Sequence, residues 1–282
     1  MIDQLRKVKS MLGLGGPEYR VGVVLSGGGA RGFAHAGALK ALAEVGIKPD
    51  IIAGVSAGSV AAVMYSAGIP GDKMLELFQS AKFSDFAEIG VPKDGLFRLD
   101  RFKEFIKRNI PYENLEDLPI KTVVGVTDLD AGRKMVFEEG PLAERVVASC
   151  SIPIVFRPQV IDGVRYVDGG VLHNLPAWAI RKRCKYLIGI NCSPLSQHEV
   201  GDSLVDIALR SYELMAKTNV VADAAMCDIL IRTDEIAKYK VFNLKQIEQV
   251  YESGYREAMN CLLFHGFKRV GHHSEAVIPP IK

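Results

Sequence analysis

The sequence predicts an α/β protein with a mostly parallel central sheet and helices on its faces. Two strand-turn-helix units follow one another between residues 21 and 67, and short apolar strands recur at 186–191 and 229–232. Such alternation is typical of parallel strands joined by crossover helices. The 282 residues contain no Pro/Gly/Ser-rich linker, so one domain is expected.

The first unit contains a glycine-rich turn between a strand and a helix. Residues 21–25 are apolar and predict a strand, and the turn has the sequence SGGGARG at 26–32. Residues 33–44 then carry apolar side chains at helical spacing, and Gly46 ends the predicted helix.

The second unit places a serine between its strand and its helix. Residues 50–55 predict a strand, and residues 57–67 predict a helix of small side chains that can lie close against the sheet. Ser56 therefore follows the strand directly and precedes the helix.

Residues 72–120 are less regular and hold six of the twelve phenylalanines. Helical spacing at 99–110 predicts one helix there. Two interpretations stay open for this region. It forms a lid or acyl-chain pocket, or it is a core helix with its loops, because aromatic side chains at helical spacing usually pack inward.

Hairpins and two long helices are predicted in the second half. Residues 121–128 and 133–138 read as strands around a turn, and residues 160–167 read as a hairpin that places Asp168 at a strand end. The helices are predicted at 203–226 and 244–264, and the residues after 265 are predicted to form a tail.

The pentapeptide GVSAG at residues 54–58 matches G-x-S-x-G in the context that this motif requires. Gly54 and Gly58 allow a sharp turn that presents the Ser56 hydroxyl at the strand end, beside a helix N-terminus that favours negative charge. Ser56 is therefore the candidate nucleophile.

The glycine turn is the candidate oxyanion hole. In a parallel sheet it lies at the same edge as Ser56, and the backbone N–H groups of Gly27, Gly28 and Gly29 can approach a ligand without a Cβ in the way. Arg31 is expected to add positive charge for the oxyanion or a substrate phosphate, or else to form a surface salt bridge.

The same glycines, with Gly32, fit G-x-G-x-x-G, so a nucleotide-binding module is an alternative from another class. The acidic residue that would hold a ribose should end the second strand, yet Asp50 begins that strand and Ser56 follows its end. The pattern therefore fits an oxyanion hole better.

Asp168, followed by Gly169 and Gly170, is the candidate base. An Asp-Gly-Gly sequence is most often only a turn. Here it ends a strand, where a side chain can reach the catalytic edge, and an aspartate would need partial desolvation and a direct hydrogen bond to Ser56 to activate it.

A Ser-His-Asp esterase acting on small soluble esters is the alternative within enzymes. Of six histidines, His173 lies nearest to Asp168 in sequence and is the best candidate for that role. No metal-binding motif is present, so a reaction without metal or other cofactor is expected.

The net charge of +2 gives at most a weak attraction to anionic lipid, and no nucleic-acid partner is expected. The five cysteines are scattered and odd in number, which fits reduced thiols. The basic and apolar cluster near the N-terminus is too short for a secretory signal, so a cytoplasmic location is expected, with transient contact at a membrane surface.

The glycine turn, GVSAG and Asp168-Gly169-Gly170, in that order, resemble the patatin-like phospholipases over roughly residues 20–190. The segment ASCSIP at 148–153 is similar to another stretch typical of that family. Three ordered motifs are far more specific than one.

The resemblance implies a three-layer α/β/α fold, a Ser56-Asp168 dyad without histidine, and hydrolysis of fatty-acyl esters of phospholipids, lysophospholipids or related lipids. It also implies a catalytic core at 20–195 after an N-terminal extension at 1–19. Helices at 196–265 would complete the same domain before a tail at 266–282.

Overall fold

The computed structural model describes residues 16–79, 81–90, 95–194, 200–241 and 243–270. Its strands are β1 Tyr19–Leu25, β2 Ile51–Val55, β3 Glu88–Ile89, β4 Phe97–Arg98, β5 Lys121–Asp128, β6 Arg133–Phe137, β7 Gln159–Ile161, β8 Val164–Asp168, β9 Cys184–Asn191 and β10 Ile229–Arg232. Its α-helices are α1 Phe33–Glu44, α2 Ala57–Ser66, α3 Gly71–Phe78, α4 Asp100–Asn109, α5 Leu142–Ser149, α6 Ala177–Ile180, α7 Leu204–Ala224 and α8 Ile247–Phe264.

Eight of these strands form one sheet in the order β10-β9-β1-β2-β5-β8-β7, with β6 also paired to β5. The neighbours from β10 to β5 run parallel, whereas β6, β7 and β8 are joined by antiparallel pairings. The predicted α/β class with a mostly parallel sheet is confirmed. β3 and β4 form a separate antiparallel pair.

Alternating side chains of the central strands point to opposite faces and build two apolar cores. Val23 and Ile52 contribute to the larger core together with α1, α2 and α8, whereas Val24 and Ile51 contribute to a smaller one with α6. Helices therefore cover both faces, which makes the three layers expected from the family resemblance.

The helix α8 packs on α1 through paired glycines. A Cβ on Gly37 would lie 2.1 Å from the carbonyl oxygen of Tyr251, and a Cβ on Gly254 would lie 2.3 Å from that of Ala34. Phe267, which lies beyond α8 in the segment predicted as a tail, is also buried. The packed part of the chain thus extends at least to Phe267, and the division at residues 19, 195 and 265 stays a prediction.

Turn chemistry ends the strands and helices close to the predicted positions. Gly46 has a φ of +75° after α1, and the hairpin from β7 to β8 turns at Asp162 and Gly163, with φ of +52° and +81°. Two residues with positive φ favour the tight hairpin turn that matches the twist of the strands. The predicted hairpin is confirmed.

Candidate active site

Ser56 lies at a strained turn between β2 and α2. Its φ of +53° and ψ of −125° are unfavourable for a residue with a side chain, typically by about 1–3 kcal/mol. The flanking glycines are required by close packing, because a Cβ on Gly54 would lie 2.3 Å from the Gly58 carbonyl oxygen and one on Gly58 would lie 2.3 Å from that of Leu25. Such a turn presents the serine hydroxyl at the strand end.

Ser149 holds the strained backbone in place. Its Oγ accepts the Ser56 N–H at 2.8 Å and donates to the Gly125 carbonyl oxygen at 2.6 Å, and both serines are buried. Ser149 lies in the ASCSIP segment at the end of α5, which the sequence indicated as significant without showing its role.

The central strand β5 brings Asp168 next to the serine turn. Val55 pairs with Gly125 of β5, and Asp168 pairs with the next residue, Val126. Because β6 occupies the other edge of β5 over the same residues, β2 and β8 follow one another along a single edge. The nucleophile candidate and the base candidate are therefore brought together by sheet pairing.

The carboxylate of Asp168 is fully buried, and its two oxygens have different surroundings. Oδ1 accepts the Gly170 N–H at 2.8 Å and the Tyr212 hydroxyl at 2.9 Å. Oδ2 is buried and has no hydrogen-bond partner in the part of the chain that the structure describes. The Ser56 hydroxyl is close enough to Asp168 to lower its pKa, but no hydrogen bond to Oδ2 with ordinary distance and angle is formed in this conformation.

Burial raises the pKa of Asp168 from 3.8 to about 6. The Gly170 N–H and the nearby hydroxyls of Ser56 and Tyr212 act in the opposite direction and lower this pKa. The carboxyl is consequently a stronger base than an exposed aspartate, yet it is ionised at neutral pH.

The glycine turn lies against the serine turn. A Cβ on Gly27 would be 3.2 Å from the Cβ of Ser56, and a Cβ on Gly32 would be 2.5 Å from that of Ala57. The Gly27 N–H is already bonded to the carbonyl and side-chain oxygens of Asn174, both at 3.1 Å. It is therefore not an available oxyanion donor.

Gly28 and Gly29 differ from Gly27 in this respect. Gly29 has a φ of +56°, and the N–H groups of Gly28 and Gly29 make no hydrogen bond to any residue within the described ranges. A Cβ on Gly29 would lie 2.4 Å from a methyl carbon of Val241. This turn therefore offers two uncommitted N–H groups beside Ser56.

The guanidinium of Arg31 makes hydrogen bonds other than the expected contact with the oxyanion. Its Nε donates to the Tyr239 carbonyl oxygen at 2.7 Å, and its other nitrogens donate to the carbonyl oxygens of Pro194 and Ala237 at 3.3 Å. The expected contribution to the oxyanion does not fit this geometry. Arg31 is buried and ties the glycine turn to the C-terminal part of the chain.

The histidines in the described ranges have other partners. His173 Nδ1 lies 2.7 Å from Asp223 Oδ2, and the Nε2 of buried His35 lies 2.7 Å from the Ser26 carbonyl oxygen. Burial lowers the pKa of His35 to about 4. His265 follows the end of α8, and the remaining histidines lie outside the described residues. None of these three contacts Ser56.

An apolar pocket of about 170 Å³ opens beside Ser56. Ser56 contributes the one hydroxyl, and no charged side chain lines it, within the described ranges. Its lining consists of Gly29, Ala30, Gly32, Phe33, Ala36, Ser56, Ala57, Val60, Ala61, Met64, Met74, Phe78, Phe83, Phe86, Ala87, Leu99, Phe102, Cys150, Ile152, Phe156, Val241 and Leu244.

Several phenylalanines of residues 72–120 line this pocket and also pack on one another. The ring centroids of Phe78 and Phe105 are 4.8 Å apart, and those of Phe86 and Phe102 are 5.7 Å apart. The aromatic side chains of this region are thus at once core residues and pocket walls, and a lid or an acyl-chain role for the region stays a prediction.

Three further observations concern metal ligands, membrane-spanning helices and cysteine thiols. No cluster of three metal-ligating side chains occurs in the described ranges. No helix among those residues is long and apolar enough to cross a bilayer. All five cysteines are free thiols.

The sequence alone does not identify Tyr212, Asn174 or Ser149 as site residues. Tyr212 lies on α7, 44 residues beyond Asp168, in a part of the chain without a recognisable motif.

Cys150 lines the pocket, and burial with the nearby charge of Asp168 raises the pKa of its thiol strongly. That thiol is therefore protonated at neutral pH.

Comparisons with known proteins show which proteins the chain is similar to. Residues 23–180 match the family model described as patatin-like phospholipase. An uncharacterized NTE family protein of Mycobacterium tuberculosis is 34% identical over 168 residues, which cover 57% of this chain and 46% of that protein. The match thus spans about half the length of that relative.

Human patatin-like phospholipase domain-containing protein 6 is 27% identical over 274 residues, covering 84% of this chain and 20% of that protein. Among solved structures, VipD from Legionella pneumophila superposes with a TM-score of 0.51 at 17% identity. The superposition covers 88% of this chain and 67% of VipD, and it supports the fold.

Proposed function

Because the chain belongs to the patatin-like phospholipase family, we propose that it hydrolyses fatty-acyl esters of phospholipids, lysophospholipids or related lipids. One observation carries the proposal most directly. Ser56 lies at a strained turn, beside a buried carboxylate, and contributes the hydroxyl of an otherwise apolar pocket. An apolar pocket of this kind favours an acyl chain over a charged or strongly polar substrate.

In the proposed reaction, Ser56 Oγ attacks the ester carbonyl carbon while Asp168 Oδ2 takes the hydroxyl proton. The tetrahedral intermediate collapses, the ester C–O bond breaks, and the leaving alcohol takes the proton back from Asp168. Asp168 then removes a proton from water, which attacks the acyl-enzyme and releases the fatty acid. Ser56 recovers its proton in this step.

The oxyanion of each intermediate is assigned to the N–H groups of Gly28 and Gly29. Both belong to the turn that lies against Ser56, and both are uncommitted among the described residues. Losing one donor of an oxyanion hole typically costs roughly 10²- to 10³-fold in rate. The turn also begins a helical segment, whose N-terminus favours negative charge.

Contact with a lipid surface is part of the same proposal. Ile89 and Ile154 are 88% and 60% exposed, and they lie next to pocket-lining segments in sequence. Ile154 has a φ of +72°, which is strained for a β-branched residue, and its carbonyl oxygen accepts the Leu96 N–H at 3.1 Å. A strained, exposed aliphatic residue between the pocket-lining residues Ile152 and Phe156 in sequence is suited to enter a lipid layer.

The proposed activity is tested with Ser56→Ala and Asp168→Asn against a medium-chain p-nitrophenyl ester and phosphatidylcholine vesicles, with chelator present. We expect both variants to lose activity on both substrates. Ser66→Ala is the matched control, since Ser66 is a buried serine at the far end of the same helix, and it should keep activity. Unchanged hydrolysis by Asp168→Asn would overturn the dyad.

The lipid contact is tested separately with the double variant Ile89→Glu and Ile154→Glu. Hydrolysis of the dissolved ester should remain, whereas hydrolysis of vesicle lipid and co-sedimentation with vesicles should fall. Val221→Glu, at a site on α7 that is 70% exposed, is the control for adding charge at an apolar surface position. Equal losses in the two proteins would argue against the assigned surface.

A further inference from the structure

The hydroxyl of Tyr212 is committed to one oxygen of the candidate base. It donates to Asp168 Oδ1 at 2.9 Å, and the Gly170 N–H donates to the same atom at 2.8 Å. Tyr212 and Asp168 are both buried. A buried carboxylate oxygen that lacks a partner is costly, yet Oδ2 has none among the described residues. The difference in hydrogen bonding between the two oxygens of Asp168 therefore needs an explanation.

The helix that carries Tyr212 holds the whole loop after Asp168. Asn219 donates from Nδ2 to the Gly170 carbonyl oxygen at 2.8 Å and accepts the Asn174 N–H at 2.8 Å. One turn later, Asp223 accepts the Trp178 N–H at 3.0 Å. Residues 212, 219 and 223 are spaced to share one face of a helix. This face of α7 thus fixes residues 168–178.

The loop is shaped to admit the phenol. A Cβ on Gly170 would lie 2.1 Å from Tyr212 Oη, so a larger residue at 170 would displace the hydroxyl from Asp168. The glycine therefore makes room for this contact. α7 begins at Leu204, outside the 23–180 range that matches the family model, so the contact reaches the dyad from beyond that range.

We propose that Tyr212 is a positioning residue that, with the Gly170 N–H, saturates Oδ1 of Asp168 and so leaves Oδ2 as the atom that takes the Ser56 proton. The inference rests on the proposed function. It explains why Oδ2 has no hydrogen-bond partner although it is buried, because its lone pairs must stay available to accept the Ser56 proton. It also gives α7 a part in catalysis.

The electrostatics of the cluster support this role. The Tyr212 hydroxyl lowers the pKa of Asp168 and thereby keeps the base ionised against burial. Burial and the charge of Asp168 raise the pKa of Tyr212 well above 10, so the phenol stays a donor at working pH. Within the described ranges, the Cys150 thiol is a further titratable group beside Asp168, and its raised pKa keeps it neutral.

The first test is Tyr212→Phe, which removes only the hydroxyl. We expect KM to stay within about twofold, kcat to fall, and the acidic limb of kcat/KM to move to higher pH by about one unit, as loss of a charge-assisted hydrogen bond requires. Tyr251→Phe is the matched control, because Tyr251 is buried on α8 and its hydroxyl has no hydrogen-bond partner among the described residues. Its acidic limb should not move.

A second variant keeps the test independent of folding defects. Replacing Tyr212 with 3,5-difluorotyrosine retains the hydroxyl and makes it a stronger donor. The acidic limb should then move in the opposite direction, to lower pH. If kcat and thermal stability fall in both variants while the acidic limb of kcat/KM does not move, the role of Tyr212 is merely structural and the proposal is overturned.

A readout without turnover separates this inference from the proposed function. Infrared titration of the Asp168 carboxyl, assigned by its loss in Asp168→Asn, should show a higher pKa in Tyr212→Phe even on a protein that hydrolyses nothing. An inactive wild type with that shift would refute the hydrolase and leave the contact intact. An active wild type without it would refute the role of Tyr212 alone.

Discussion

The Ser149 hydroxyl accepts a hydrogen bond from the Ser56 N–H and donates one to the carbonyl oxygen of Gly125 in the central strand β5. The strained turn at Ser56, the proposed nucleophile, is thereby tied to β5, the strand along which Asp168 is also paired. We expect Ser149→Ala to leave the Ser56 N–H unsatisfied, which typically costs about 1–3 kcal/mol for a buried group. Both stability and kcat should fall.

Chemical denaturation and p-nitrophenyl ester kinetics measure the two effects of Ser149→Ala. The same substitution at Ser66 removes another buried hydroxyl, which accepts a hydrogen bond from Thr122, and serves as the control. We expect Ser66→Ala to cost stability while kcat stays near the wild-type value. A similar kcat loss in both variants would contradict the role given to Ser149.

The pH profile of the reaction should follow the buried carboxyl. In the proposed reaction Asp168 acts as a base in its ionised form, and burial raises its pKa to about 6. The value of kcat/KM should therefore fall about tenfold for each pH unit well below 6 and reach a plateau above about 7. A profile that stays flat from pH 5 to 8 would exclude Asp168 as the base.

We also expect the Asp168 carboxyl to make the stability of the protein depend on pH, in the direction opposite to that of the activity. The folded-state pKa of Asp168, about 6, lies above the unfolded value of 3.8, so the folded state holds the proton more tightly. Its contribution to stability is complete below pH 3.8 and is lost as the pH rises through about 6. Asp168→Asn should thus be inactive yet more stable than the wild type at pH 8, by an amount on the order of 3 kcal/mol.

The greater stability of Asp168→Asn relative to the wild type should shrink toward pH 4. Urea denaturation of both proteins at several pH values measures this difference. Asp162→Asn is the control, since Asp162 is exposed in a hairpin turn whose positive φ asparagine also accepts. As an exposed surface substitution, that variant should keep a stability within about 0.5 kcal/mol of the wild type. Lower stability of Asp168→Asn at every pH would contradict the raised pKa.

Gly170 should tolerate no side chain. A Cβ there would lie 2.1 Å from Tyr212 Oη and 2.8 Å from Asn174 Oδ1, so Gly170→Ala should displace both of these side chains, which contact the loop after Asp168. Because misplacement by about 1 Å can cost roughly 10²-fold in rate, we expect kcat to fall by about that factor. Gly16→Ala, where a Cβ would meet nothing within 4 Å, is the neutral control.

The pocket should set the preferred acyl-chain length. Ala61 lines the cavity of about 170 Å³, and Ala61→Leu would fill part of it. The value of kcat/KM for long-chain esters should fall by about tenfold or more while that for short-chain esters changes little. A series of p-nitrophenyl esters measures this, with Ala222→Leu at an exposed position of α7 as control. A uniform loss across chain lengths would refute the assignment.

Local chemistry made the first strand-turn-helix units predictable, because a glycine run and a G-x-S-x-G turn each determine where an apolar strand ends. The bounds of α1 agree with residues 33–44 as predicted. Tyr212 could not be found in this way, since its contact with Asp168 is made only when α7 packs on the loop. Its helix carries no motif, and buried tyrosines are common in cores.

The expectations that fail in the glycine turn fail for a related reason. A sequence shows which groups can donate, but it does not show which acceptors the rest of the chain brings near. The Arg31 guanidinium is bonded to Tyr239, more than 200 residues away, and the Gly27 N–H is bonded to Asn174. Gly28 and Gly29 keep free donors only because no described residue reaches them.

The pairing of Val55 and Asp168 with consecutive residues of β5 has a consequence for how this protein acquires activity. Side chains alternate between the two faces of a strand, so a shift of β8 by one residue would turn the Asp168 side chain to the opposite face. A misfolded molecule could keep most of its helices and still lack a base. The proposed catalysis is therefore a stringent report of correct strand register, and newly made chains should gain it only once β8 is paired with β5 in this register.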